Sequence, residues 1–395
     1  MKKINFQWPL GFTAGATHAG FKKEAKLDLC WVVSDVPTAA AGVYTKNQAQ
    51  AAPVQYTKQL ISTQQTLQAI VINSGNANSF TGKTGLENAE KSGTLVAKKL
   101  GIPSDLVGVA STGIIGKQLD MQVFEKGVES LTSSNDLSAT EAILTTDTTS
   151  KKICVQVEID QQPVTITGFA KGSGMIHPNM GTTLGFIMTD VAIDGVDLQQ
   201  ILKEGIVDSF NQITVDGCMS TNDMVLSLAN GQAQNQKLTP HHAEFAKFKE
   251  AYLTVLHSLA KQVASDGEGA NTLIEVEVQH AATHAEANLA AKAIVGSNLV
   301  KSMVFGSEGN WGRIVQALGQ TDVKFDLQKL TIKFADLTVV QDSEGQSVDP
   351  AELKSYLDGD QIKVLVDLHV GNASGKAWGC DLTYKYVEIN AAYEE

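Results

Sequence analysis

Short β-branched runs, each closed by Gly, Asn or Asp, alternate along this chain with stretches of helical periodicity. That alternation restricts it to layered α/β or α+β architectures. The strand candidates are 28–34 (LDLCWVV), 67–72 (LQAIVI), 152–159, 163–169, 184–189, 224–229, 273–279, 362–368 and 380–389. Helical spacing predicts helices over 85–100, 120–132, 197–213, 240–264 and 281–295. The fourth is the clearest. Thr239 is placed to cap it and Pro240 to occupy its first position. Phe245, Phe248, Tyr252, Leu256, Leu259 and Val263 then form one apolar stripe, with His257 beside it as a partly buried histidine. A length of 395 residues suits two lobes or one large α/β unit.

Composition excludes several function classes. With 31 Lys and Arg against 43 Asp and Glu, the net charge of −12 disfavours nucleic acid or an anionic membrane as the main partner. No run approaches the ~18 apolar residues a membrane span requires. No apolar stretch follows Lys2 and Lys3, so a signal peptide is not expected. Cys30, Cys154, Cys218 and Cys380 are far apart and make no CxxC pair, which fits reduced thiols in the cytoplasm rather than disulfides or a zinc knuckle. The eight histidines form neither HxH nor HExxH, and His241-His242 reads as an exposed helix end, so no metal site is expected. There is no GxSxG elbow, no P-loop and no GxGxxG, so neither a hydrolase serine nor a nucleotide is indicated.

Six Gly- and polar-rich segments sit at the ends of the predicted strands: 73–82 (NSGNANSFTG), 111–117 (STGIIGK), 145–149 (TTDTT), 171–183 (KGSGMIHPNMGTT), 216–223 (DGCMSTND) and 265–272 (SDGEGANT). Taken singly, each reads as an ordinary turn. Six together favour a cleft lined at strand ends, where α/β enzymes build sites.

What remains is hydroxyl chemistry. Ser and Thr are weak nucleophiles and need an adjacent base. No His–Asp dyad is visible, so the economical base is an α-amino group on the nucleophile itself, whose pKa of roughly 7.7–8.0 suits the task. A threonine gains that group only if the bond before it is cut. Gly181-Thr182 is the candidate, because Gly tolerates the strained backbone that brings the hydroxyl onto its carbonyl. An N→O acyl shift followed by hydrolysis then exposes Thr182.

The stretch from Lys171 to Asp190, KGSGMIHPNMGTTLGFIMTD, resembles the self-cleaving signature of the ornithine acetyltransferase family, the glutamate N-acetyltransferases of arginine biosynthesis. The resemblance continues in GFTAGATHAGFK at 11–22, INSGNANSFTG at 72–82, ASTGIIG at 110–116, TTDT at 145–148, STND at 220–223, DGEGA at 266–270, GNWGRI at 309–314 and YVEINAAY at 386–393. It implies an α/β (α+β) layered sandwich with a smaller C-terminal α/β lobe. It further implies self-cleavage into an α segment, 1–181, and a β segment, 182–395, that co-fold into one catalytic unit and assemble as a heterotetramer. The implied reaction is ping-pong and needs no cofactor: Thr182 takes acetyl from N2-acetylornithine and passes it to L-glutamate. Acetyl-CoA is a second donor in some members.

By position in the motifs, Thr112 and Gly113 match the oxyanion-hole pair. Thr145 matches a substrate-binding threonine, with Thr146 the alternative one residue on. Lys171, Glu268 and Asn390 match further substrate contacts. Lys171 could meet a carboxylate and Glu268 an ammonium; without the resemblance they read as a solvated lysine and an acidic turn. Glu395 stands where the family has a substrate-contacting Thr or Ser. The family's MATML reads Met180-Gly-Thr-Thr-Leu184, its DGEGATK reads DGEGANT, and its DGDTSTND reads DGCMSTND. Two other readings share these residues: a related self-processed aminopeptidase or amidase, with water as acceptor, and a non-catalytic binding protein that kept the fold.

Overall fold

The computed structural model describes residues 1–23, 25–134, 136–177 and 183–392. Pro178 to Thr182, which include the expected cleavage pair Gly181 and Thr182, lie outside the described residues, as does Glu395.

Two sheets organise the chain. The first holds β1 (Lys2–Ile4), β2 (Phe12–Thr17), β3 (Leu29–Tyr44), β4 (Thr66–Asn73), β5 (Val107–Ser111), β6 (Lys151–Ile159), β7 (Gln162–Lys171), β8 (Leu184–Thr189) and β9 (Met224–Ala229). Its order is β1-β6-β7-β8-β9-β3-β4-β5, with β2 also on β3. The second holds β10 (Leu273–Ala281), β11 (Thr331–Phe334), β12 (Leu337–Gln341), β13 (Glu344–Gly345), β14 (Gln361–Asp367) and β15 (Ala373–Cys380), ordered β13-β12-β11-β14-β10-β15. This is the expected layered α/β sandwich with a smaller C-terminal lobe.

The central strands β8 (LGFIMT) and β9 (MVLSLA) are parallel to each other and buried throughout, which is why they read as unbroken apolar runs. Leu184, Phe186 and Met188 face one layer with Trp8 and Phe169, and Ile187 faces the other. Helices cover both faces: α1 (Ala52–Gln64), α2 (Gly82–Leu100), α3 (Met121–Ser130) and α4 (Ser138–Ala142), then α5 (Gly195–Val207) and α6 (Phe245–Ser265). The stripe of α6 is buried from Phe248 through Val263, as its spacing predicts. The small lobe has its own core of Ile274, Val276, Val278, Ile294, Ile332 and Val364, among others, under α7 (His284–Gly296), α8 (Asn298–Phe305), α9 (Gly312–Gly319) and α10 (Pro350–Leu357). Among the described residues no helix is long and apolar enough to cross a membrane.

Four expectations need correction. The helix expected over 197–213 ends at Val207, and a short 3-10 turn over Phe210–Gln212 follows. Helix α6 starts at Phe245, not at Pro240. Successive turns, His242 N–H to Thr239 C=O and Phe245 N–H to His242 C=O, occupy the stretch that Thr239 was expected to cap. Strand 28–34 runs on to Tyr44 through an Ala-rich stretch of weak strand propensity, with its register broken around Pro37, which has no N–H to give. The segment 380–389 is not a strand. Strand β15 ends at Cys380, and α11 (Tyr384–Ala391) follows, capped by Thr383, whose Oγ1 accepts from Lys385 N–H at 3.1 Å. Its Tyr, Val and Ile residues read as strand because they are aromatic and β-branched, but the Thr383 cap decides the backbone.

The topology positions the site. Strand β7 ends, and β8 and β9 begin, beside Tyr44 at the end of β3, whereas β4 and β5 end beside Leu29 at its start. Since β7 pairs antiparallel with β8, Lys171 lies across from Leu184.

Candidate active site

A cavity of about 600 Å³ brings these two sets of strand ends together, lined by Thr112, Gly113, Thr145, Lys171, Glu268 and Asn390. The described residues on both sides of 178–182 also line it: Met175 and Ile176 before, Thr183 and Leu184 after.

Thr112 follows the last residue of β5. Its N–H is committed to Asn73 C=O at 3.0 Å, which leaves the hydroxyl for the cavity. Gly113 adopts φ +128, a conformation that favours glycine. Lys171, at the end of β7, donates from Nζ to Thr145 Oγ1 at 2.8 Å and to Thr112 Oγ1 at 3.3 Å. Glu268 is buried, with 8% of its surface exposed. Its Oε1 accepts from Thr146 Oγ1 at 2.8 Å and its Oε2 from Asn390 Nδ2 at 2.6 Å. Thr145 and Thr146 are therefore both used, one on the cation and one on the acid. Glu268 rests on Gly174, where an added Cβ would lie 2.3 Å from its carboxylate carbon.

Buried charges hold these loops. Lys151 pairs with Asp147 and with Asp266. Asp147 also accepts from Thr145 N–H at 3.0 Å and Gly172 N–H at 2.8 Å. Asp266 accepts from Thr148 N–H at 3.0 Å and Thr149 N–H at 3.2 Å. The two acids thus fix the threonine loop and the DGEG loop against one ammonium. Burial alone would raise Asp147, but Lys171 and Lys151 outweigh it and bring its carboxyl down to about 2. Asp223 lines the cavity at the start of β9, and burial pushes it well above the usual carboxylate range, against the hydrogen bonds from Ser220 and the charge of Lys171. Its Oδ2 has no hydrogen-bond partner among the described residues. Asp216 ties down the residues leading to 177, accepting from Met175 N–H at 2.6 Å and Ile176 N–H at 2.9 Å.

The ArgJ family matches residues 13–395 of the chain. The arginine biosynthesis bifunctional protein ArgJ of Lactiplantibacillus plantarum is 50% identical over 390 residues, 99% of this chain and 97% of that protein. The chain belongs to the ArgJ family. The protein of the same name from Oceanobacillus iheyensis is 49% identical over 387 residues, covering 98% of this chain and 95% of that one. The crystal structure of ArgJ from Bacillus halodurans matches at 47% identity and a TM-score of 0.52, over 53% of this chain and 98% of that chain.

As an ArgJ protein the chain is an enzyme, and five segments singled out in its sequence, at 111–117, 145–149, 171–183, 216–223 and 265–272, each contribute residues to this cavity. The sixth, at 73–82, stands behind the wall. Asn222 Nδ2 bridges Ala77 C=O at 2.6 Å and Ser111 C=O at 2.9 Å, and Asn73 takes the Thr112 N–H. Sequence reasoning gave no role to Asp147, Lys151, Asp216, Asp223 or Asp266. The signal available was acids placed inside Gly- and Thr-rich loops, where a carboxylate gathers backbone N–H groups. Among the described residues no group of three His, Cys, Asp or Glu is placed to hold a metal ion. His241 is exposed, and His257 is partly buried beside Trp378, with ring centroids 6.3 Å apart.

Proposed function

We propose that this ArgJ chain transfers acetyl from N2-acetylornithine to L-glutamate through an acetyl-Thr182 enzyme, after cutting itself between Gly181 and Thr182. In the cut, Thr182 Oγ attacks the Gly181 carbonyl carbon and the acyl group moves from nitrogen to oxygen. Water then hydrolyses the ester, leaving a carboxylate on Gly181 and an α-amine on Thr182. In the first half-reaction that amine takes the hydroxyl proton as Oγ attacks the acetyl carbonyl, and it returns the proton to the departing ornithine nitrogen. In the second, the glutamate amine attacks the acetyl ester and gives its proton to the Thr182 amine, which passes it to Oγ as the ester C–O bond breaks and N-acetylglutamate leaves.

The observation that carries this reading is the shared cavity. Thr112, Gly113, Lys171 and Glu268 converge on it, and the chain enters and leaves the 178–182 segment along its wall. The Thr112 hydroxyl and the Gly113 N–H are available to the tetrahedral oxyanion, each donor of this kind contributing roughly 2.7–4 kcal/mol. Lys171 donates to Thr112 Oγ1, which orients that hydroxyl's own proton away from the lysine. Glu268 suits the ornithine ammonium and Lys171 a carboxylate. Thr145 and Asn390 hold these two charged groups in place.

The α segment 1–181 and β segment 182–395 would stay together after cleavage, because β8 and β9 lie between β7 and β3 in one sheet. A solved relative whose chain is matched over 98% of its length yet covers 53% of this one also suits a severed enzyme. We place the enzyme in the cytoplasm as a heterotetramer of the two segments, with acetyl-CoA as an additional donor. The test is intact mass under denaturing conditions beside an acetylornithine–glutamate exchange assay. Two fragments, 1–181 and 182–395, with activity support the proposal; active enzyme in one piece overturns it.

A further inference from the structure

The GFTAGATHAGFK motif at 11–22 has no part in the chemistry above, yet it ends in an elaborately held turn. Asp28, with none of its surface exposed, accepts four successive backbone N–H groups: Ala19 at 2.6 Å, Gly20 at 3.0 Å, Phe21 at 2.7 Å and Lys22 at 3.1 Å. Lys22 Nζ then donates to Leu27 C=O at 3.0 Å and Leu144 C=O at 2.7 Å, the latter one residue before Thr145. This knot delivers the next residue, Lys23, to the wall of the catalytic cavity, where it lines the same space as Thr112, Thr145 and Glu268.

The reaction poses a charge problem there. Both substrates carry an α-carboxylate, but their tails have opposite sign: ammonium on ornithine, carboxylate on glutamate. Glu268 answers the ammonium. Lys171 is one ammonium and cannot pair with both carboxylates of glutamate at once, and it already shares its charge with the buried Asp147. Lys23 is the second lysine lining the cavity, and its four-carbon stem is flexible. We propose that Lys23 receives the side-chain carboxylate of the acceptor and so determines acceptor specificity. This rests on the ping-pong reading above.

The experiment separates the two ideas. Wild-type enzyme given acetylornithine alone should release a burst of ornithine and gain one acetyl group on Thr182; without that burst the ping-pong reading falls, and this proposal falls with it. Given the burst, Lys23→Met should leave its size and rate unchanged while the KM for glutamate rises about tenfold or more. The KM for acetylornithine should move less than about threefold by the same arithmetic. Glutamine, with a neutral side chain, supplies the readout a structural role would not move. The preference of wild type for glutamate over glutamine should collapse in Lys23→Met and return in Lys23→Arg. An unchanged preference in Lys23→Met, or both KM values rising together, overturns the proposal.

Discussion

Asn390 Nδ2 donates to Glu268 Oε2 at 2.6 Å, joining the last helix to the DGEG loop across 122 residues of chain. With Thr146 on Oε1, both oxygens of this buried carboxylate are held. Glu268→Gln removes the charge and turns an amide N–H₂ toward either Asn390 or Thr146, both of which are donors here. A buried donor left without its acceptor costs about 1–3 kcal/mol. The expected result is a rise in the acetylornithine KM of roughly 10- to 100-fold with little change in kcat, since the lost contact is made equally before and during reaction. Asn390→Ala should show the same pattern more weakly. Steady-state kinetics with acetylornithine varied at saturating glutamate reads both.

Gly174 accounts for how close that carboxylate comes. A Cβ on residue 174 would lie 2.3 Å from the carboxylate carbon and from Oε1, and 2.4 Å from Oε2. The φ of Gly174 is not positive, so alanine meets no backbone strain there and the penalty is the contact alone. Gly174→Ala should push Glu268 off Thr146 and Asn390, raising the acetylornithine KM by about tenfold while Tm changes by only a few degrees. Calorimetry beside kinetics checks this; a large fall in Tm with unchanged KM would show that Glu268 does not use this space.

Much of this site was legible before the fold. Thr112, Lys171 and Glu268 each stood in a polar segment at a strand end, Asn390 was marked by the family resemblance alone, and all four line one cavity. The buried charges behind them were not legible. Lys151 meets Asp266 across 115 residues and Asp147 across one helical turn's spacing, and only the tertiary fold makes one ammonium serve both. The secondary structure failed for a related reason. Residues 384–391 are helical although rich in Tyr, Val and Ile, and none of them is buried, so no packing pattern marked the helix. The Ala-rich half of β3 is a strand because α5 and β9 close over it, which its own propensity does not announce.

Lys151→Met tests the anchoring. It leaves Asp147 and Asp266 facing each other without their common cation, and breaking a buried pair in this way costs about 3–5 kcal/mol. Lys151→Arg keeps the charge and should recover most of that loss. The acid limb of stability carries the same signature. Asp147 is held at about 2, below its ordinary 3.8. A depressed carboxyl stabilises the fold above its unfolded pKa, and that contribution is lost as pH falls from near 4 through about 2. In Lys151→Met that window should narrow, ending at a higher pH with less stability lost across it, because one of the two cations that lower Asp147 is gone. Urea titrations between pH 2 and 6 measure this; parallel acid limbs for the two proteins would rule out the pairing as the cause.

Thr182 is the most direct test of the chemistry, and the sheet makes it a clean one. Lys171 of β7 pairs with Leu184 of β8 across the 178–182 segment, so the strands on either side are fixed by their own ladder. The fold is therefore expected to form whether the 181–182 bond is whole or cut. Thr182→Ala should fold with a Tm within a few degrees of wild type, migrate as one 42.1 kDa chain, and show no exchange between acetylornithine and glutamate. Thr182→Ser keeps a hydroxyl and should cleave more slowly and retain partial activity, since loss of the methyl frees the side-chain rotamer that β-branching restricts. Supplying 1–181 and 182–395 as separate chains, the second beginning at Thr182 once its initiator Met is removed, should restore activity without any cleavage step. Activity in that pair would locate the catalytic requirement in the free amine of Thr182. Its absence, with both chains folded together, would move the requirement to the act of cleavage itself.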